Sequence, residues 1–169
     1  MATRPAHRAG PQTAHKGEPM DLDITQIADR LYVGAWPQRE HAGELATLNV
    51  RLIISMLFFE RMAVELSQPP FRLVRLRAFD HPLAPIPIQL LKRGVLEALP
   101  AMDGGASVLI HCKLGVHRSV AMASCVLIGM GRSADEAMRV VKERRPVADP
   151  HAWYIERRIR AFEKSWRRN

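Results

Sequence analysis

The sequence predicts an α/β protein with a central, mostly parallel sheet flanked by helices. Three observations carry that prediction. Short apolar runs of strand length, residues 52–59 and 108–111, alternate with longer stretches of helical periodicity such as 88–99 and 134–144. Strands that alternate with helices imply parallel pairing, because parallel neighbours need a crossover between them. The run LIISMLFF at 52–59 is apolar on both of its alternating faces, as in a strand covered from both sides. Finally, glycine and proline punctuate the chain where elements should end, at Gly34 to Pro37, Pro69-Pro70, Asp103-Gly104-Gly105 and Gly131.

Taken in order, residues 1–20 combine Pro5, Gly10, Pro11, Gly17 and Pro19 with almost no large apolar side chains, the composition of a disordered extension. Residues 21–169 are expected to form one domain, since 47% hydrophobic content in 169 residues supports a real core but not two. Residues 24–27 and 31–33 read as short strands about an Asp29-Arg30 turn, and a helix over 39–48 ends at Asn49. After the 52–59 strand, residues 60–66 suit a short helix. FRLVRLRAF at 71–79 alternates imperfectly and forms a strand leading directly to Asp80. Pro82, Pro85 and Pro87 stiffen the loop that follows.

The helix over 88–99 leads through Asp103-Gly104-Gly105 into the strand 108–111. Another helix runs to about Met130, where Gly131 stops it. Ser133 and Glu136 form a capping box for the helix over 134–144, which Pro146 closes. Asp149 and Pro150 suit the capping residue and first-turn proline of a last helix through Trp166.

Charge and cysteine usage narrow the function classes. Lys and Arg number 25 against 17 Asp and Glu, and the formal charge of +8 favours acidic partners such as phosphoesters, nucleic acid or anionic lipid. No nucleic-acid-binding motif appears. The basic C-terminal run is interleaved with Glu156 and Glu163 at helical spacing, the pattern of a solvated helix face, while Trp153 and Trp166 read as packing anchors. Two cysteines exclude a disulfide framework and point to a reducing compartment, the cytoplasm. The N-terminus lacks the apolar core of a signal peptide, and the apolar stretch around 120–130 is too short and too interrupted by serine to span a bilayer.

The stretch SVLIHCKLGVHRSVAM at 107–122 concentrates the chemistry. An apolar strand runs into His111 and Cys112; five residues, Lys113 to His117, separate the cysteine from Arg118, with Gly115 midway and Ser119 beside the arginine. A free thiol becomes a strong nucleophile when a helix N-terminus or a cation lowers its pKa into the range of roughly 3.5–7.5. Both conditions are met, because the unpaired N–H groups and positive dipole end of a helix starting near Arg118 face back into the loop. The loop amides can curl around an anion as a nest, Gly115 permitting the backbone angle that a side chain resists. Arg118 adds a planar fork suited to two phosphate oxygens. A thiolate beside a site for a tetrahedral dianion points to phosphoryl transfer to cysteine. Cys125, farther along the helix, is too distant from Cys112 for a disulfide and reads as core packing.

HCKLGVHRS at 111–119 resembles the phosphate-binding loop of the cysteine-dependent protein tyrosine phosphatases, with His, Cys, Gly, Arg and Ser at the family's positions. The chain length, LYVG at 31–34 and ERRP at 143–146 resemble the dual-specificity branch more closely, so the resemblance runs from about Ile24 to Trp166. It implies a dual-specificity-phosphatase-like fold and a phosphate-binding loop of His111, Cys112, Lys113, Leu114, Gly115, Val116, His117 and Arg118. It also implies a two-step mechanism in which Cys112 attacks phosphorus, an aspartic acid protonates the leaving oxygen, and water hydrolyses the phosphocysteine, with neither metal nor other cofactor. Ser119 would hydrogen-bond the cysteine and help it leave, with His111 orienting the nucleophile from behind.

The implied partner is a phosphorylated protein or another acidic phosphoester, phosphoinositides among them. Lys113 and His117 would make the rim basic. Lipid-directed relatives carry a lysine directly after the cysteine, as here, but tend to have a second lysine where this chain has Val116 and a glycine where it has His117. Two other classes stand beside this one. A sulfurtransferase loop tends to be shorter between cysteine and arginine, and non-catalytic phosphate-binding relatives usually lose the cysteine, arginine or acid.

Two aspartates compete for the general acid. Asp149 is explained as a helix cap and Asp103 by its turn, whereas Asp80 stands at the carboxyl end of a predicted strand, the edge where open α/β sheets place ligands. The resemblance agrees, since the dual-specificity branch carries its acid on a loop a similar distance before the cysteine. His81 is the weaker neighbour.

Overall fold

A computed structural model describes residues 21–168, so the expected extension over 1–20 lies outside the described residues. The elements are β1 (Ile24–Ala28), β2 (Leu31–Gly34), α1 (Ala42–Thr47), β3 (Val50–Ser55), β4 (Arg72–Arg75), α2 (Ile88–Asp103), β5 (Ser107–His111), α3 (Arg118–Gly129), α4 (Ala134–Arg144) and α5 (Trp153–Trp166). The five strands form one sheet in the order β1-β2-β5-β3-β4. Only the β1–β2 pair is antiparallel; β2–β5, β5–β3 and β3–β4 are parallel, giving the mostly parallel sheet that the alternating pattern predicts.

Strand alternation divides the apolar side chains between two layers. Leu52, Ile54, Val108 and Ile110 face the larger core, which α2, α3, α4 and α5 close with Val95, Val126, Met138 and Phe162. Ile53 and Leu109 face the other side and pack with Leu45 of α1, Leu66 and Phe71. Helix α3 is buried along almost its whole length, so β5 and α3 form the central spine. The turn between them, at the carboxyl edge of the sheet, is therefore held from both ends.

Several boundaries differ from the sequence pattern. β3 stops at Ser55 rather than Phe59, and β4 at Arg75 rather than Phe79. β5 leaves the sheet after His111, whose carbonyl takes the Met56 amide at 2.9 Å, so β3 has no central ladder to continue, and β4, which pairs with β3 alone, ends with it after the Leu76 amide bonds the Ser55 carbonyl at 2.8 Å. Of the helix expected over 60–66 only a 3-10 turn at Val64–Leu66 forms, after Ala63 in an extended conformation, and the Glu60 carbonyl accepts from Arg75 Nη2 at 2.7 Å. α2 runs through Pro100, which forfeits one intrahelical bond, and ends at Asp103.

The last helix begins at Trp153, with Ala152 and not Asp149 at its cap; the Asp149 amide is instead bonded to the Val116 carbonyl at 2.9 Å. Trp166 stacks on Phe162, but Trp153 is no packing anchor: it is 61% exposed, since Ile155, Ile159 and Phe162 take the buried face of α5. No helix among the described residues is long and apolar enough to cross a membrane.

Candidate active site

Because β5 ends and α3 begins within a few residues, the loop 112–117 must turn sharply, and Gly115 does so at φ +68°. A Cβ there would lie 2.6 Å from the Gly34 carbonyl carbon and 2.6 Å from Arg145 Nη2, so both conformation and space require glycine. The loop is braced from outside. Arg145, almost fully buried, donates from Nε to the Gly115 carbonyl at 2.9 Å, while its two Nη atoms hold the Asp23 carboxylate at 2.8 and 2.9 Å. One guanidinium thus ties the loop to the chain entering β1.

Cys112 is buried under this loop, with Sγ 3.2 Å from the Ser119 hydroxyl. Burial alone would push its thiol up. Hydrogen bonds from the Ser119 hydroxyl and amide, the Arg118 charge and the Gly115 amide outweigh burial and hold the thiol below its usual value. His111 is completely buried, its Nδ1 3.3 Å from the Cys112 carbonyl. Burial, together with the Arg118 charge and against that hydrogen bond, lowers its pKa to about 4, so the ring is neutral at pH 7 and donates to the carbonyl.

Arg118 is pinned where β3 and β4 leave the sheet, its Nη1 donating to the Met56 and Ala78 carbonyls at 3.2 and 3.1 Å. Its Nε lies 3.5 Å from Asp80 Oδ2. Asp80 meets α5 on its other side: the Tyr154 hydroxyl donates to Oδ1 at 2.9 Å, and His117 Nδ1 is 3.4 Å from the same oxygen. Asp80, Cys112, His117, Arg118 and Tyr154 line one open cavity of about 440 Å³. A lowered thiol, with the Gly115 and Ser119 amides on it, a fixed cation and a carboxyl group therefore converge on a volume that admits a phosphate ester.

No family model matches the chain. Among curated proteins, dual specificity protein phosphatase 1 of Arabidopsis thaliana is 42% identical over 62 residues, 36% of this chain and 31% of that protein. Human dual specificity phosphatase 28 is 27% identical over 135 residues, 79% of this chain and 74% of that protein. Its crystal structure covers 85% of this chain and 98% of its own, with a TM-score of 0.76 and 23% identity. The structure of PTPMT1, also solved in complex with PI(5)P, gives a TM-score of 0.75 at 25% identity over 84% of this chain and 94% of its own. In sequence and in fold the chain is similar to the dual-specificity branch of the cysteine-dependent protein tyrosine phosphatases. It spans about a third of the length of the first of these curated relatives.

The structure gathers Cys112, Arg118, Ser119 and Asp80 but leaves the other acid candidates apart. Asp149, Asp103 and His81 do not line the cavity; His81 accepts the Leu83 amide through Nδ1 at 3.1 Å. Lys113 and His117 both border the cavity, but His117 is engaged with Asp80 rather than turned freely outward. Cys125 is buried in the core, and both cysteines are free. Two residues escape the sequence reading. Arg145 sits inside the ERRP stretch, yet nothing local tells that it is buried against Gly115. Tyr154 is one aromatic among several on α5, and its meeting with Asp80 depends on how α5 packs on the 81–87 loop, where Arg158 Nε also donates to the Ile86 carbonyl at 2.9 Å.

Proposed function

We propose that the protein is a phosphomonoester hydrolase acting on phosphotyrosine, and on phosphoserine or phosphothreonine, through a phosphocysteine intermediate. The single observation that carries the reading is Cys112 Sγ, 3.2 Å from Ser119 Oγ under the Gly115 loop, with its thiol held below its usual value. The Cys112 thiolate attacks phosphorus while the P–O bond to the leaving group breaks, and Asp80 gives its proton to the departing oxygen. Arg118 and the loop amides hold the remaining phosphate oxygens where charge develops. In the second step Asp80 takes a proton from water as water attacks phosphorus, and the P–S bond breaks with the thiolate received by the Ser119 hydroxyl. Tyr154 positions the acid through its hydrogen bond to Oδ1. The whole reaction belongs to one domain over 21–169, and two unpaired cysteines, one of them needed reduced, fit the cytoplasm.

A second reading, a non-protein phosphate such as a phosphoinositide, is favoured by Lys113, which borders the cavity directly after Cys112. Turnover of phosphotyrosine peptide, phosphothreonine peptide and soluble phosphoinositide by wild type and Cys112→Ser tests both. The expected result is turnover of at least the phosphotyrosine peptide by wild type and none by Cys112→Ser, with phosphate binding retained. Persistent activity in Cys112→Ser, or none in wild type, overturns the proposal.

A further inference from the structure

Exposed apolar side chains are normal when scattered singly and meaningful when gathered. Here they gather. Of the nine exposed large hydrophobic residues among the described residues, five stand on the loops after β3 and β4 (Phe59, Phe79 and Leu83), on the 112–117 loop (Leu114) and at the start of α5 (Trp153). Leu114 lines the cavity itself. Phe79 directly precedes Asp80 and stacks on Phe58 with ring centres 3.8 Å apart, Phe59 packing edge-on against that pair. Leu83 and Trp153 border a neighbouring concavity that shares Tyr154 with the first, so three of the five line two adjoining concavities and the other two reach the first through Phe79, the residue before Asp80.

Charge follows the same face. Lys113 at the cavity and Arg157 at the neighbouring concavity have no ion-pair partner among the described residues. Of the nearby carboxylates, Asp80 is engaged with Tyr154, Arg118 and His117, and Glu156 with Arg160 and His151; Asp149, which acts on Tyr154, has no ion-pair partner among the described residues, and Glu60 beside Phe59 is followed directly by the exposed cation Arg61. The face is therefore apolar and cationic together. Its shape also matters, because Phe59 lines neither concavity and is 77% exposed, and Leu83, at the edge of the second, is still 85% exposed, so both project from their loops. A bound peptide would need holes to fill; separate apolar knobs interspersed with cations suit a soft boundary that they can enter.

We propose that this face docks on an anionic lipid bilayer, its apolar tips entering the headgroup boundary and Lys113 and Arg157 meeting lipid phosphates, so that the cavity opens at the membrane surface. The docking stands on the surface alone; only its consequence, preference for phosphate esters presented at a bilayer, rests on the hydrolase reading.

Sedimentation of the full chain with vesicles of phosphatidylcholine, alone or with phosphatidylserine, tests it. Binding should require phosphatidylserine and fall with added salt, about fivefold per lost cation in Lys113→Ala and Arg157→Ala. Phe59→Ser and Leu83→Ser should each weaken it roughly tenfold, the factor for losing one buried apolar side chain, while turnover of a soluble aryl phosphate stays at the wild-type rate. No binding to phosphatidylserine vesicles, or binding indifferent to both serine variants, overturns the proposal. Loss of phosphoprotein turnover in those variants without vesicle binding would assign the face to a protein partner instead. Absent aryl phosphate turnover in wild type would refute the hydrolase and leave the docking result standing.

Discussion

Tyr154→Phe removes one atom and one contact, the hydroxyl donated to Asp80 Oδ1 at 2.9 Å. A hydrogen bond to a charged group contributes about 1.5–3 kcal/mol; with Asp80 29% exposed and water able to substitute, about 1–2 kcal/mol is the appropriate loss. If Tyr154 holds the acid, that loss appears in the transition state for leaving-group departure, a factor of roughly 5–30. It should also appear selectively. For an alkyl-like or phenyl phosphate, whose leaving oxygen needs the proton, kcat/KM should fall by that factor; for a phosphate with an acidic phenol as leaving group it should change by less than about twofold. Measuring kcat/KM isolates the first chemical step from hydrolysis of the phosphocysteine. In the Asp80→Asn background, itself expected to lose about 10²–10⁴-fold on the poor leaving group, Tyr154→Phe should add nothing, since the two act as a unit. Equal losses on both leaving groups, or full additivity with Asp80→Asn, would refute the positioning role. Asp80→Asn without leaving-group dependence would refute the acid itself.

Three further outcomes are expected. Arg118→Lys should lower kcat/KM by about 10²-fold or more, because a point charge reproduces neither the fork nor the anchorage to the Met56 and Ala78 carbonyls; a variant within threefold of wild type would count against the loop chemistry. Ser119→Ala removes a donor that favours the thiolate, so the Cys112 thiol rises and the acid limb of the kcat/KM profile moves to higher pH, measurable also by the pH dependence of iodoacetamide alkylation; an unmoved limb would sink the assignment.

The third concerns His111, whose folded pKa of about 4 lies below the unfolded value of 6.5. Between these values the unfolded chain binds the proton and the folded chain does not, so this term of stability is complete above pH 6.5 and is lost as pH falls toward 4, about 3 kcal/mol in all. Urea midpoints across that window should fall more steeply for wild type than for His111→Gln, and parallel curves would contradict the buried neutral ring.

How much of this was legible follows from the range over which each feature is determined. The loop 111–119 could be read because its determinants are local: Gly115 turns at φ +68°, Ser119 lies one helical step past Arg118, and the thiol needs only those neighbours. The sheet was legible in its order of events but not in its ends, because β3 and β4 stop where β5 departs, and no residue of 52–59 or 71–79 encodes where another strand leaves. Asp149 shows a local signal overruled. Asp-Pro reads as the start of a helix, but the Asp149 amide is taken by Val116, a loop residue far away in sequence, and α5 waits until Trp153. With that cap gone, the structural reason for setting Asp149 aside disappears as well. The case for Asp80 now rests on its place in the cavity, between Arg118 and Tyr154, and on Asp149's absence from the lining. Arg145 and Tyr154 belong to the same class of long-range facts. Each has ordinary sequence neighbours, and each acquires its meaning only when α4 and α5 fold back beside β1 and the loop before α2, bringing a guanidinium to Gly115 and a phenol to Asp80.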